Sequence, residues 1–165
     1  MIDTKFGEIK FRLLDDVAPK TTANFIALAN SGFYDGTVFH RIVPGFVIQG
    51  GDPNSIKGDR NTWGLGDAGH TIPPEFSNSV KFTKYTVGMA RSQDVNSGSS
   101  QFFITLADTP NLNDQYTIFG DVISGQDVVD KIASLQTNPD SQPVDSEAAR
   151  VTKISIESSS NSTVK

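Results

Sequence analysis

The chain has 165 residues, 20% charged and 36% hydrophobic, with a formal net charge of −5. That suits one domain large enough to bury a core, and it argues against nucleic acid or an anionic membrane surface as partner, since both need a basic face. No cysteine is present, which excludes disulfides, thiolate metal sites and thiol nucleophiles.

The chain opens with MIDTKFGEIKFRLL. Ile9, Phe11 and Leu13 alternate with Lys10 and Arg12, the period of a half-buried strand. Gly7, closing TKFG, predicts a hairpin turn back to Ile2-Asp3. Pro19 then opens PKTTANFIALANSGF, and proline suits a first helical turn. Thr22, Phe25, Ile26 and Ala29 fall on one face and Gly32 supplies a stop, so a helix is expected from about 19 to 31. Strands are expected at 38–42, 46–50, 85–90 and 101–105. A long polar, glycine-rich stretch, Asp52 to Asn78, separates the second from the third. Ser124-Gly125-Gln126-Asp127 reads as a second helix start with an acidic first turn. Val128, Val129, Ile132 and Leu135 form its apolar face, over about 125–135. Asn138 to Glu147 is an acidic loop, and Val151 to Glu157 closes the chain as a strand. Residues 1–157 are expected to form the domain and 158–165, SSSNSTVK, a disordered tail. The tail holds the sequon Asn161-Ser162-Thr163, a pattern with meaning only in a secreted protein.

Short strands, long turns and two helices predict a mainly β domain, an antiparallel sheet closing into a barrel or sandwich to remove its edges. The helices would cover the openings.

The segment VFHRIVPGFVIQGGD, Val38 to Asp52, carries the functional reading. It looks like a core hairpin turning at Pro44-Gly45, yet its arms hold Arg41 and Gln49. Side chains alternate across a strand. In VFHRI, Val38, His40 and Ile42 share one face, and Phe39 and Arg41 the other. In FVIQG, Val47 and Gln49 are co-facial. In SSQFFIT, Phe102 and Ile104 pair towards the core, leaving Gln101, Phe103 and Thr105 on the opposite face. If the outer faces converge, Arg41, Gln49, Gln101 and Phe103 make one patch with Phe46 at its rim. That patch is apolar with a permanent cation and two amides, which describes a small binding site. Each residue alone has a plainer reading: a surface arginine, core phenylalanines, polar-face glutamines. His40 reads as a hydrogen-bonded core histidine.

FHRIVPGFVIQGGD and GMARSQDVNSGSSQFFITLADTPNLNDQYTIFGDVISGQDVV together closely resemble the cyclophilins, peptidyl-prolyl cis-trans isomerases. The resemblance runs from the first strand through AGHTIPPEF to the second helix. It implies a closed eight-stranded antiparallel β-barrel capped by two α-helices, with the site on the outer wall. It implies catalytic roles for Arg41, Phe46, Gln49 and Phe103. Val47, Ala90, Gln101, Leu112 and Tyr116 become substrate-binding residues. Val47 stands where the family often has methionine. Asn111 replaces a tryptophan and Tyr116 a histidine of the best-known eukaryotic members. The tryptophan is implicated in holding cyclosporin, so weakened drug binding is expected with catalysis kept. X-Pro peptides and folding proteins are the implied partners. The reaction breaks no covalent bond, so no cofactor and no metal is expected. A non-catalytic proline-binding or chaperone module could use the same groove, but a bare receptor would not need Arg41.

Competing motifs are weak. Gly64 to Gly69 satisfies G-x-G-x-x-G, but HTIPP follows and its prolines forbid the helix a dinucleotide site needs. His40, His70, Asp52, Asp67 and Glu75 fit no metal-site spacing. No G-x-S-x-G is present, so hydrolase chemistry has no handle. No run approaches the roughly 18 apolar residues of a membrane span, and residues 1–30 lack the pattern of a signal peptide. A cytoplasmic monomer is expected, unless a targeting segment has been removed.

Overall fold

The computed structural model describes residues 1–158, so the predicted tail, from 159 onward, lies outside the described residues. Eight strands form one antiparallel sheet: β1 Ile2–Thr4, β2 Gly7–Leu13, β3 Arg41–Val43, β4 Val47–Gly50, β5 Thr86–Met89, β6 Phe102–Thr105, β7 Ile118–Ser124 and β8 Val151–Ile154. Their order is β3-β4-β6-β5-β7-β2-β1-β8. Two main helices, α1 Pro19–Asn30 and α3 Gln126–Ala133, pack on it, and a single turn, α2 Asn54–Lys57, follows β4.

The turns are where the residues predict them. Gly7 and Gly45 sit at positive φ, +125° and +73°, in the β1–β2 and β3–β4 turns. The helices stop and start as expected: Gly32 at φ +76° ends α1 and Gly125 at φ +84° precedes α3. A side chain at Gly125 would meet the Glu8 carbonyl oxygen at 2.2 Å, so only glycine fits there. The buried face of α1 is Thr21, Thr22, Phe25, Leu28 and Ala29. Ile26, expected on that face, lies at its edge, half-buried. Ala18 gives α1 no side-chain cap. The Glu75 carboxylate does so from the long loop, accepting from the Lys20 N–H at 3.2 Å, the Thr21 N–H at 2.6 Å and the Thr21 hydroxyl at 2.9 Å. A negative group at a helix start also meets the positive end of its dipole.

Three expectations change. β7 is absent from the strands predicted above; Gly120 and Asp121 interrupt its apolar run. Gly120 is required where the Phe11 ring approaches within 2.6 Å of a hypothetical Cβ. The strand holding Arg41 starts at Arg41 itself, not at 38. Val38, Phe39 and His40 are therefore all buried, and Phe39 packs against Phe102 instead of sharing the Arg41 face. Closure, finally, is incomplete as a ladder. The end strands β3 and β8 do not pair with each other. The gap is spanned by residues 36–39, through one bridge, Val38 to Arg150, and bonds such as Val151 N–H to the Thr37 carbonyl at 2.7 Å. The sheet is thus a curled barrel stitched by a loop.

Alternation along β4 and β6 divides the apolar residues into two clusters. Ile48, Phe102 and Ile104 join Ile2, Ile9, Phe25, Phe39 and Phe119 inside the barrel. Val47 and Phe103 join Phe82, Leu112 and Ile118 on its outer wall. A large apolar cluster outside a filled barrel marks where a site can form.

His40 lies in the interior, 4% exposed, and its Nδ1 has no hydrogen-bond partner among the described residues. Burial lowers its pKa, opposed by the nearby Asp52 charge. The unfolded chain, with a histidine pKa of about 6.5, therefore takes up the proton first. Stability from the neutral ring is intact above that value and falls as pH drops towards the folded pKa. Replacing His40 by Gln should flatten the fall in thermal midpoint between about pH 7 and pH 5 relative to wild type. Parallel melting-versus-pH curves for the two proteins would refute this.

Candidate active site

Strand register aligns the site. Arg41 on β3 is paired with Gln49 on β4, Gln49 with Phe103 on β6, and Phe103 with Gly88 on β5. Directly paired residues share a face, so these four form one row across the outer wall. Neighbouring strands lie about 4.8 Å apart, which puts Arg41 and Phe103 roughly 10 Å apart at the backbone. The row reads cation, amide, aromatic ring, glycine.

Gly88 is there because the ring of Phe103 lies over it: an added Cβ would stand 2.4 Å from the ring. Phe82 stacks on Phe103 with centroids 5.6 Å apart, and Tyr116 meets it edge-on at 5.6 Å. Phe103 is thereby held as a floor, 4% exposed. Above it is a cleft of about 130 Å³ lined by Arg41, Phe46, Val47, Gln49, Ala90, Arg91, Phe103, Leu112 and Tyr116. It is too small for a drug-sized ligand and right for one compact side chain. Eight of the nine residues expected at the site line it. Arg91 was not expected there.

Gln101, the ninth, lies beside the cleft. Its amide Nε2 donates to the Gly64 and Gly66 carbonyls at 3.0 and 2.9 Å, and its Oε1 accepts from Gln49 Nε2 at 3.0 Å. Both ends are thus used inside the protein, and Gln101 orients Gln49. The chain of bonds continues inward. Asp52, wholly buried, accepts from the Asn54 N–H at 2.8 Å and from the Gly64 N–H. The G-x-G-x-x-G stretch is therefore a loop tied down at Gly64. His70 belongs to the same framework, its Nε2 2.6 Å from Asn24 Oδ1 on α1.

A second cavity of about 300 Å³ adjoins the cleft and shares Gln49, Ala90 and Arg91 with it. Its further walls are loop residues, Gly64 to Asp67, and the serines 92, 97, 99 and 100. Ala90 stands between the two hollows, so an extended chain crossing it can fill both.

Arg41 is exposed and its guanidinium has no ion-pair or hydrogen-bond partner among the described residues. A permanently charged, planar donor stands free at the cleft mouth. The cleft lining holds two guanidinium groups and no carboxylate, in a chain of net charge −5. Such a site can bind an apolar ring and donate to oxygen or nitrogen beside it. Among the described residues no helix is long and apolar enough to cross a membrane, and no cluster of three His, Asp or Glu could hold a metal ion.

Comparison with known proteins agrees with this geometry. The sequence profile of the cyclophilin type peptidyl-prolyl cis-trans isomerases matches residues 1–156. The chain is 42% identical over 144 residues to a peptidyl-prolyl cis-trans isomerase of Arabidopsis thaliana, covering 87% of each. It is 35% identical over 165 residues to peptidyl-prolyl cis-trans isomerase A of Dickeya dadantii, covering 93% of this chain and 84% of that one. Its fold matches a cyclophilin type isomerase of Cryptosporidium parvum, solved in the presence of the dipeptide Ala-Pro. There the TM-score is 0.86 at 34% identity, over 95% of this chain and 97% of the other. A profile spanning nearly the whole chain, with relatives on this scale in plants and bacteria, places the protein among the cyclophilin-type peptidyl-prolyl cis-trans isomerases.

Proposed function

We propose that the cleft over Phe103 seats the pyrrolidine ring of an X-Pro segment, and that Arg41 stabilises the amide as it twists. The observation that carries this reading is the row Arg41–Gln49–Phe103, a free cation and an aromatic floor held two strands apart on one face. The Cryptosporidium parvum relative solved with Ala-Pro supports a proline-containing ligand.

The chemistry asks little of the protein. Rotation about the amide faces a barrier of about 18–20 kcal/mol, and uncatalysed exchange takes tens to hundreds of seconds. No bond is made or broken, so neither nucleophile nor cofactor is needed. Twisting localises the lone pair on the prolyl nitrogen, which then accepts a hydrogen bond that the planar amide does not. Arg41 meets that demand: one prong of its fork reaches the prolyl carbonyl while its charge favours the pyramidal nitrogen. An interaction stronger in the transition state than in the ground state is what accelerates. Raising a rate from about 0.01 to about 10 per second needs roughly 4 kcal/mol. One charged hydrogen bond in a dry pocket contributes about 3–4 kcal/mol.

The other residues serve binding. Phe46, Phe103, Leu112 and Tyr116 enclose the ring and exclude water. Val47 fills the wall behind it. Ala90, with no side chain beyond Cβ, lets the substrate backbone approach, and Gln49, oriented by Gln101, faces that backbone. X-Pro peptides and folding proteins are the substrates. Asn111 is exposed on the rim beside Leu112, where an amide offers no broad apolar face to cyclosporin.

Arg41→Ala should lower kcat/KM for a proline-limited peptide by about 10²–10³-fold with the thermal midpoint unchanged. Peptide binding by wild type without any acceleration would instead establish a non-catalytic proline receptor. Phe103→Ala should weaken both affinity and turnover, the first by about tenfold; an unchanged dissociation constant removes Phe103 from the pocket. For the drug, Asn111→Trp should tighten cyclosporin binding by at least about tenfold in a fluorescence titration. Equal affinities for variant and wild type would show that position 111 does not govern it.

A further inference from the structure

We infer that Arg91 is a positioning residue that sets the width of the proline pocket by holding Tyr116 in place; this rests on the reading of the cleft proposed above. Arg91 follows β5, is half-buried, and lines both the cleft and the adjoining cavity. Three of its five N–H donors bond backbone carbonyls, and it makes no ion pair among the described residues. Nε and Nη2 both donate to the Gln115 carbonyl, at 2.9 and 2.7 Å, and Nη1 donates to the Ser92 carbonyl at 3.0 Å. The same plane lies over the Tyr116 ring, 4.6 Å from its centroid. Tyr116 in turn meets Phe103 edge-on at 5.6 Å.

The segment it grips needs an external hold. It follows the three-residue turn Pro110–Leu112 and the left-handed Asp114, φ +61°. The earlier part of this loop is pinned by Asn113 Oδ1 accepting from the Phe82 N–H at 2.8 Å. Beyond it, the Gln115 N–H donates to the Leu112 carbonyl at 3.1 Å and the Thr117 carbonyl accepts from the Met89 N–H at 2.9 Å. Between these, the two Arg91 bonds to the Gln115 carbonyl and its packing over Tyr116 hold the wall from the side of the cleft. A planar fork can do both at once, because two donors lie in the plane and the aromatic ring packs on its face. A lysine ammonium can make a bond or approach a ring, but it cannot hold a carbonyl bidentately while stacking. Arg91 therefore acts on substrate through Tyr116, whereas Arg41 acts directly.

The test is a double-mutant cycle on an Ala-Pro peptide, with KM and kcat measured separately and Tyr116 ring signals followed by NMR. Arg91→Ala and Tyr116→Ala should each raise KM by about tenfold, with the loss falling mainly on KM, and the double variant should be no worse than either single one. Arg91→Lys should behave like Arg91→Ala, because it keeps the charge and loses the fork. Tyr116 ring shifts should move in both Arg91 variants. Multiplying losses in the double variant, an unchanged KM in Arg91→Ala, or full rescue by lysine would each overturn the inference. Wild type that neither binds nor isomerises the peptide would overturn the reading of the cleft itself, which separates the two failures.

Discussion

Everything at the site depends on one cross-strand register. Four strands, β3, β4, β6 and β5, bring Arg41, Gln49, Phe103 and Gly88 into line. A slip of one residue between β4 and β6 would turn Phe103 inward and Phe102 outward, because side chains alternate. The barrel guards against this by its own packing. Phe102 is wedged among Phe25, Tyr34 and Phe39 in near-perpendicular contacts. The interior core is thus the device that keeps the exterior site in register.

A second layer of order comes from loops rather than strands. The stretch from Asp52 to Asn78 has little regular structure, yet it is bonded at both ends to the framework. Asp52 grips Gly64, Gly64 and Gly66 grip Gln101, and Gln101 orients Gln49. Further along, Glu75 supplies α1 with the cap its own sequence lacks. Buried polar groups that satisfy one another in this way add rigidity that an apolar loop could not. The Gln49 amide at the cleft is accordingly positioned by a carboxylate several bonds away and out of contact with solvent.

Much of this is legible in the residues alone. The alternation in SQFFIT separates Phe102 from Phe103, and the structure puts them in different clusters. The helix ends at Gly32 and Gly125 follow from their spacing. What could not be read are features set by distant partners. β7 is obscured by Gly120, whose purpose is visible only once Phe11 lies across it. Parity failed at Phe39 because the strand begins two residues later, where pairing with β4 starts. Arg91 looks like any surface arginine until the fold carries residues 115 and 116 beneath it. The inward commitment of Gln101 likewise depends on a loop more than thirty residues earlier in the chain.

The two ends of the sheet lend the site an asymmetry. Phe103 sits on β6, hydrogen-bonded on both sides by β4 and β5. Arg41 begins β3, a three-residue terminal strand paired to β4 alone and steadied on its other flank by a loop, through Ile42 N–H to the Ser141 carbonyl at 2.7 Å. The aromatic floor is therefore bonded by a strand on each flank, whereas the cation stands on a strand bonded by one strand and one loop. In the reaction proposed above, the proline ring rests on the doubly bonded strand and the turning amide meets the terminal one.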